Sequence, residues 1–520
     1  MPEYLTPGVY IEEIERGPRP IEGVPTSTSA FLGETERGPI KPALVTSYKE
    51  YLRLFGGTFG DDKFMPYAAS GFFDNGGKRL WICRLVGEQA TAAEASFGDA
   101  FTARAVGPGS WGRRVWVRID DSSTKRPDAA GNPQAVGFRL RMFYWTNVPA
   151  DFQPFDPIDN PDQKPLPAVR EDFDDLTLDA GSPDFFEKRL LDSSALATLV
   201  RVAGAPANSR PENGAQALAE NGTDDPNPLD TADFKGTALP GTARTETQGL
   251  EALLLDPYRD VALVYAPGAS IDIARVIIEH CENQKFRFAV VDCDKGVVSA
   301  ANLDPRTKIK DTQYAAFYYP WIWVNDPSTG ARKLVPPGGH TLGVYARTDS
   351  ERGVFKAPAN ETPRGVVDLE YDINDNQQGD LNPKGVNVIR EFAGRGIRIW
   401  GARTMSSNGL WKYVSVRRLF IFLERSIYEG TQWVVFEPND PRLWARVTDT
   451  LRLFLRTQWR NGALVGRTEE QAFFITCDET TMTMDDRLNG RLICEIGIAP
   501  VRPAEFVIFR IFQNTAEAQR

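Results

Sequence analysis

Two glycine-rich stretches are the first places where this 520-residue chain could bind a cofactor. Gly107-Pro108-Gly109-Ser110-Trp111-Gly112 has the G-x-G-x-x-G spacing by which a tight turn delivers pyrophosphate to a helix N-terminus. The residues that follow, RRVWVRID, alternate like a strand, so the helix that this chemistry requires is missing and a structural turn is expected. Gly71 to Arg79 (GFFDNGGKR) approaches a phosphate loop, but its spacing is off by one and Arg79 stands where Ser or Thr would hold magnesium. It reads instead as a helix that ends at Gly76-Gly77 and turns into the strand RLWICRLV.

Catalytic parts are equally scarce. The two histidines are His280 and His340. His280 sits late on an amphipathic helix beside Cys281, a place for packing or for a C-terminal helix charge. His340, in PPGGH, is better placed for a loop function. A Ser-His-Asp hydrolase needs an activated serine, and the chain has no G-x-S-x-G elbow, no H-E-x-x-H and no EF-hand loop. Cys83, Cys281, Cys293, Cys477 and Cys494 are scattered, odd in number and never spaced C-x-x-C, which argues against a disulfide framework or a zinc ribbon. The acid pairs Asp174-Asp175 and Asp485-Asp486 are sequence neighbours, and along a strand or helix such side chains diverge. The expectation is a protein that is not an enzyme and holds neither cofactor nor metal.

Hydrophobic residues are 42% of the chain and charged residues 25%, as in folded proteins, and the length predicts three or four domains. The formal charge of −10 makes nucleic acid an improbable partner, because phosphate binding needs a basic footprint. Arginine outnumbers lysine 44 to 16, which fits either interface use or a GC-rich coding bias. No apolar run is long enough to span a membrane, and the acids and prolines of MPEYLTPGVYIEEIERGPRP do not resemble a signal peptide, so assembly in the cytoplasm is expected.

Strand and helix signals alternate along the chain. AFLGET and RLWICRLV read as buried strands around the helix SYKEYLRLFG. Residues 113–120 and 136–145 alternate as antiparallel strands. The stretch from Asp151 to Leu190 carries 11 acids and 4 bases and reads as an acidic loop. After Gly249, VALVYAP, SIDIARVIIEHCEN and FRFAVVDC form a βαβ unit, hence a parallel sheet with helical cover. Helices follow near 411–429 and from 441 to about 460, the second with Asp440 as N-cap and Pro441 in its first turn. Strands at 491–498 and 505–512 close the chain.

Both terminal segments have the pattern of strands that pair outside themselves. Val9, Tyr10 and Ile11 form a short run fenced by prolines. Phe506, Val507, Ile508, Phe509 and Ile511 belong to an apolar run that is either a central strand of the chain's own sheet or a strand donated to a neighbour. The helix after Pro441 has an apolar stripe of Leu443, Val447, Leu451, Phe454 and Leu455. Arg442, Arg446, Arg452, Arg456 and Arg460 lie largely off that stripe, as a partner-facing basic side or as a merely exposed one.

At these residues the sequence resembles contractile tail sheath proteins. The resemblance rests on YLTPGVYIEEI, RPIEGVPTSTSAFLGETERGP, FFDNGGKRLWICRL and the PGSWG turn. It continues through PPGGHTLGVYARTDSERGVFKAPANE, LNPKGVNVIREF, GIRIWGARTM, YVSVRRLFIFLERSI, EGTQWVVFEPND, CDETTM and PAEFVIFRI. The blocks cover most of 1–120 and almost all of 246–515, in the family's order, and are nearest in form to sheaths of extracellular contractile injection systems of the antifeeding prophage and Photorhabdus virulence cassette types. The resemblance implies a mixed α/β multidomain chain. Its parts would be an N-terminal linking arm (1–25), a subtilisin-like α/β core without a triad (26–95 with 246–400), an inserted β-rich outer domain (96–245), a C-terminal sheath domain (401–500) and a C-terminal linking arm (501–520).

It further implies stacked hexameric rings that polymerise helically around an inner tube and contract to drive that tube through a target membrane. The implied partners are further copies of the chain, the tube protein, baseplate and tail-terminator or cap proteins, and an AAA+ ATPase, with no nucleic acid and no direct membrane insertion. The arginines after Pro441 would then face the tube. Alternatives are the sheath of a true contractile phage tail, another self-assembling shell protein, or a subtilisin-like hydrolase.

Overall fold

The apolar runs that the sequence marks as buried strands meet in one sheet. The computed structural model describes residues 20–127, 130–149, 151–206, 208–236, 247–298 and 303–510. The sheet runs in the order Ala43–Val45, Leu80–Arg84, Ser29–Gly33, Leu263–Tyr265, Phe288–Asp292, Ala315–Tyr319, Val386–Phe392, Gly396–Ile399. The inner six strands are parallel, and the outermost strand on each side pairs antiparallel. With both faces covered, inner strands are apolar throughout rather than alternating. Phe288–Asp292 and Ala315–Tyr319 are buried at every position. The helix Ile271–Gln284 is the predicted crossover. Ser270 caps it by accepting from Ile273 N–H, and Ala274, Ile277, Ile278 and Cys281 recur on its buried face.

Two further helices, Met65–Asp74 and Gly338–Arg352, pack at unusually close range because glycines line their contact. A Cβ on Gly71 would lie 2.3 Å from His340 Nδ1, and one on Gly343 would lie 2.5 Å from the Phe72 carbonyl oxygen. The second helix is buried from Gly338 through Thr348.

Between Leu80–Arg84 and Leu263–Tyr265 the chain builds a separate β region. Two four-stranded antiparallel sheets have the orders Val169–Leu176, Phe138–Tyr144, Val115–Asp121, Gly214–Ala217 and Ala197–Arg201, Phe101–Ala105, Thr91–Ser96, Glu220–Thr223. Phe101, Trp111, Val117, Ile119, Leu140 and Met142 belong to their common core. The chain enters and leaves this region side by side. Asp225 accepts from Gln89 N–H at 2.9 Å, and a Cβ on Gly87 would lie 2.4 Å from its carboxylate.

The acidic stretch expected to be a loop is partly ordered structure, with the strand Val169–Leu176 and the helix Phe186–Ser193. Its charge is met by arginines on neighbouring strands: Arg139 pairs with Asp172 at 2.6 Å, and Arg118 with Asp156 at 2.8 Å and Asp159 at 2.9 Å. Alternation along paired strands sets Arg118, Arg139 and Asp172 on one face, and Asp156 and Asp159 reach Arg118 from the connection between strands, a partnership that local composition does not reveal.

All of this lies in one compact unit, the described residues of 25–417; among the described residues, 20–24 and 418–510 belong to a second. The second unit opens within the helix Val414–Gly430 and continues with Pro441–Arg460, where Asp440 caps by accepting from Leu443 N–H as expected. It ends in an antiparallel pair, Phe473–Thr476 with Glu495–Ile498. Residues 20–24 lie along the first of these helices: Val24 N–H donates to Ser426 Oγ at 3.1 Å, and Gly23 abuts the Phe422 ring.

Candidate assembly surface

The glycine motifs do structural work. After Gly107-Pro108-Gly109 the chain makes one 3-10 turn, Ser110–Arg114, and passes straight into the strand Val115–Asp121. The turn wraps a buried guanidinium. Arg84 donates to the Gly38 carbonyl at 3.1 Å and to the Pro108 carbonyl at 2.8 Å. A Cβ on Gly107 would lie 2.1 Å from that Gly38 oxygen. Burial lowers the Arg84 pKa to about 10, and the carbonyls replace the water it has lost. The GFFDNGGKR stretch is likewise the end of the helix Met65–Asp74, and Arg79 pairs with Asp260 at 2.8 Å.

Neither histidine is arranged for proton transfer with a carboxylate. His280 Nε2 meets Arg287 Nη1 at 2.6 Å, and burial together with that cation lowers its pKa to about 3. His340 departs from expectation. It lies in the first turn of the helix Gly338–Arg352, not in a loop, and is buried against Gly71 with its pKa lowered by burial to about 4. The Pro-Pro-Gly-Gly signature permits close helix contact there, which composition alone presents as loop. Cys83 and Cys281 are buried, and burial raises each thiol to about 12.

The carboxyl pair Asp485-Asp486 also departs from expectation, because the two converge. Arg491 folds back over the short helix Met484–Leu488 and reaches Asp485 at 2.7 Å and Asp486 at 2.8 Å. Asp174 accepts from Ser123 N–H at 3.1 Å and Asp175 from the Thr124 hydroxyl at 2.7 Å, so both carboxylates of that pair hold one turn. These arrangements are polar staples.

The surface that remains is in the second unit. On the helix Pro441–Arg460 the predicted stripe is buried at Leu443, Val447, Leu451, Phe454 and Leu455. The arginines off the stripe are not equivalent. Arg456 meets Glu469 at 2.7 Å, and Arg452 meets the same carboxylate at 3.5 Å and Asp449 at 3.6 Å. Arg446 lies 4.6 Å from the centre of the Trp433 ring and 3.7 Å from Glu437. Arg442 and Arg460 are exposed. Glu469 was not visible as a partner in sequence, since it lies beyond the helix and reaches back only in the fold.

Residues 501–510 belong to no strand, so the described part of the run, 506–510, is not a central strand of the described sheets. Phe506, Val507, Ile508 and Phe509 are 69%, 68%, 77% and 85% exposed. Val9, Tyr10, Ile11 and Ile511 lie outside the described residues. A further exposed group escaped sequence reading: Phe436, in the connection between the two helices, is fully exposed and has a φ of +68°. A bulky residue in that backbone region is uncommon, and only the conformation exposes it.

Comparison with known proteins gives this architecture a class. The family model described as the phage tail sheath protein central domain matches residues 242–405, and that of the phage tail sheath C-terminal domain matches 406–514. The chain belongs to the phage tail sheath family. It is 27% identical over 295 residues to a prophage major tail sheath protein of Pseudomonas aeruginosa, covering 54% of this chain and 74% of that one. A tail sheath protein of Burkholderia phage BcepMu is 25% identical over 258 residues, and the chain spans 54% of its length.

Among solved structures, its fold is that of the PVC sheath complex of an extracellular contractile injection system in the contracted state, with TM-score 0.58, 22% identity and 100% of both chains covered. The anti-feeding prophage helical sheath in the contracted state gives TM-score 0.56 and 23% identity over 98% of this chain and 100% of that one.

Proposed function

We propose that this protein is the sheath subunit of a phage-tail-like injection system, stacking in hexameric rings around an inner tube and contracting to drive that tube through a target membrane. The observation that carries the proposal is the fold likeness to contracted sheath chains, which covers 98–100% of this chain. In this reading the parallel sheet is a subtilisin-like scaffold without catalytic parts, and the β region of Thr91–Thr223 is an inserted domain on the outside of the sheath.

The exposed run from Phe506 supports strand donation. Its unpaired backbone and alternating side chains would add to a sheet edge of a neighbouring subunit, where main-chain bonds give affinity and side chains give register. Residues 1–25 would act as the second arm, and Arg442, Arg446, Arg452, Arg456 and Arg460 would face the tube. Baseplate, cap and tube proteins and an AAA+ ATPase are the partners this function calls for. A linkage that does not close on itself propagates as a helix, which is the geometry of a tube.

Negative-stain microscopy of the purified protein tests the function. Hollow tubes or stacked rings are expected, and closed particles or flat lattices would refute it. Deleting residues 1–20, or ending the chain after Pro503, should leave a folded subunit that makes no tubes. Full-length tubes from either truncation would remove the arms from the assembly mechanism.

A further inference from the structure

The antiparallel pair in the second unit carries two cysteines at the neck of the loop that joins its strands. Its register sets Phe473 opposite Ile498 and, as the last pair of the ladder, Thr476 opposite Glu495; continued by one residue it places Cys477 opposite Cys494. The type of that rung follows from the ladder. Ala499 N–H donates to the Ala472 carbonyl at 2.9 Å, which makes that rung a hydrogen-bonded one. Bonded and non-bonded rungs alternate, so the cysteine rung, five steps on by roughly one residue each, is non-bonded, with Cα atoms about 4.5 Å apart and side chains at their closest. A disulfide spans Cα separations of about 4.4–6.8 Å. The two thiols lie close enough to influence one another's titration, and both are free. Cys477 is buried and Cys494 is half-buried, so the pair is reachable from one side.

We propose that Cys477 and Cys494 are an oxidisable pair that closes a disulfide across the hairpin when the protein meets a small-molecule disulfide such as oxidised glutathione. One thiol of the pair loses its proton to solvent and its sulfur attacks the small disulfide. A mixed disulfide forms, and one small thiolate leaves and takes up a proton. The second cysteine then loses its proton and attacks the protein sulfur of that mixed bond, expelling the other small thiol. Two protein thiols are oxidised, one small disulfide is reduced to two thiols, and no proton is gained or lost overall. Burial raises both thiols, Cys494 to about 12, so the exchange is slow at neutral pH and quickens as the solution becomes alkaline.

The closed bond would fasten residues 478–493 into a covalent loop. It would also fix the root of the strand from which the exposed run at Phe506 departs. This inference rests on the register of one hairpin and stands whether or not the protein forms a sheath.

The test uses the full-length folded protein, incubated with oxidised glutathione at neutral and at mildly alkaline pH, quenched in acid and alkylated. Digestion without reductant, followed by mass spectrometry, then reads the products. Cleavage at Arg487 and Arg491 separates the two cysteines, so the expected product is a pair of peptides joined through Cys477 and Cys494 and lacking two hydrogens. It should form faster at the higher pH. Cys477→Ser should instead leave glutathione held on Cys494 with no partner to release it. The proposal is overturned if both cysteines of the wild type end up alkylated, if a glutathione adduct on either one persists, or if the bond joins two chains.

Discussion

Gly339→Ala separates helix propensity from close packing, because the two act with opposite sign. In an open helix the added methyl would stabilise by about 1 kcal/mol, since glycine loses the most backbone freedom on folding. Here a Cβ on Gly339 would stand 2.5 Å from Ala68 Cα and 2.6 Å from the Ala68 carbonyl oxygen. Those atoms are backbone of the facing helix and cannot rotate away, so the helices must part by about 1 Å to restore van der Waals contact. Parting them also disturbs Phe72, whose ring meets that of Phe31 at 5.5 Å on the sheet. Overpacking of this kind costs about 1–3 kcal/mol, and the upper end applies where backbone is the obstacle, giving a net loss of about 2 kcal/mol after the propensity gain.

With a urea m-value of about 3 kcal/mol/M or somewhat more, the midpoint should fall by about half a molar. Gly379→Ala is the control. That glycine lies in the helix Asp375–Leu381 with nothing within 4 Å of its Cβ position, and the same change there should raise the midpoint slightly. Urea titrations followed by far-ultraviolet circular dichroism read both. A Gly339→Ala protein as stable as the wild type, with an unchanged m-value, would refute the close-packing argument.

Other expectations follow from charge and topology. Burial pushes the Asp292 carboxyl up to about 7, although the Tyr265 hydroxyl and the Gly268 and Gly338 amides favour its ionised form. Its folded value therefore lies above the unfolded value of about 3.9, so its stabilising effect is full below that pH and is lost as pH rises through about 7. Asp292→Asn should thus gain about 2–3 kcal/mol on the wild type between about pH 5 and 8, and parallel pH dependences in urea would contradict this. Excising residues 88–224 through a short Gly-Ser linker should leave a folded, monodisperse protein, because Gly87 and Asp225 adjoin. Replacing 125–235 instead should cause aggregation, since it strips Val115–Asp121 of its partner Phe138–Tyr144; equal solubility of the two variants would reject that reasoning. Reversing both Arg442 and Arg460 to Glu should impair assembly around a tube more than assembly of empty sheath, while moving subunit stability by less than about 1 kcal/mol; equal loss of both assemblies in microscopy would assign these arginines to sheath–sheath contacts.

What was legible in the sequence divides by the range of the interaction that decides it. The strand Phe288–Asp292, the helix after Ser270 and the cap at Asp440 are fixed by neighbours in sequence, through unbroken apolar runs, helical spacing and a side chain that accepts from its own helix. The failure of the glycine motifs as phosphate sites was legible for the same reason, because the residue pattern after Gly112 is a strand's. His340 was misplaced because glycines before a helix look like loop until a facing helix needs the space. The acidic stretch was misread because Arg118 and Arg139 are distant in sequence and adjacent only across the sheet. Arg456 looked unpaired for the same reason, its partner Glu469 arriving from beyond the helix.

The run at Phe506 is the remaining case. Its β-branched and aromatic residues carry a strand's local preference, yet the described chain offers it no ladder, and four large apolar side chains stand in solvent. A local preference at odds with its surroundings is expected where function rather than folding sets the residues. Strand pairing with a second chain would bury those side chains and satisfy the backbone in one step, so the disagreement between pattern and fold at this segment is itself an argument for assembly.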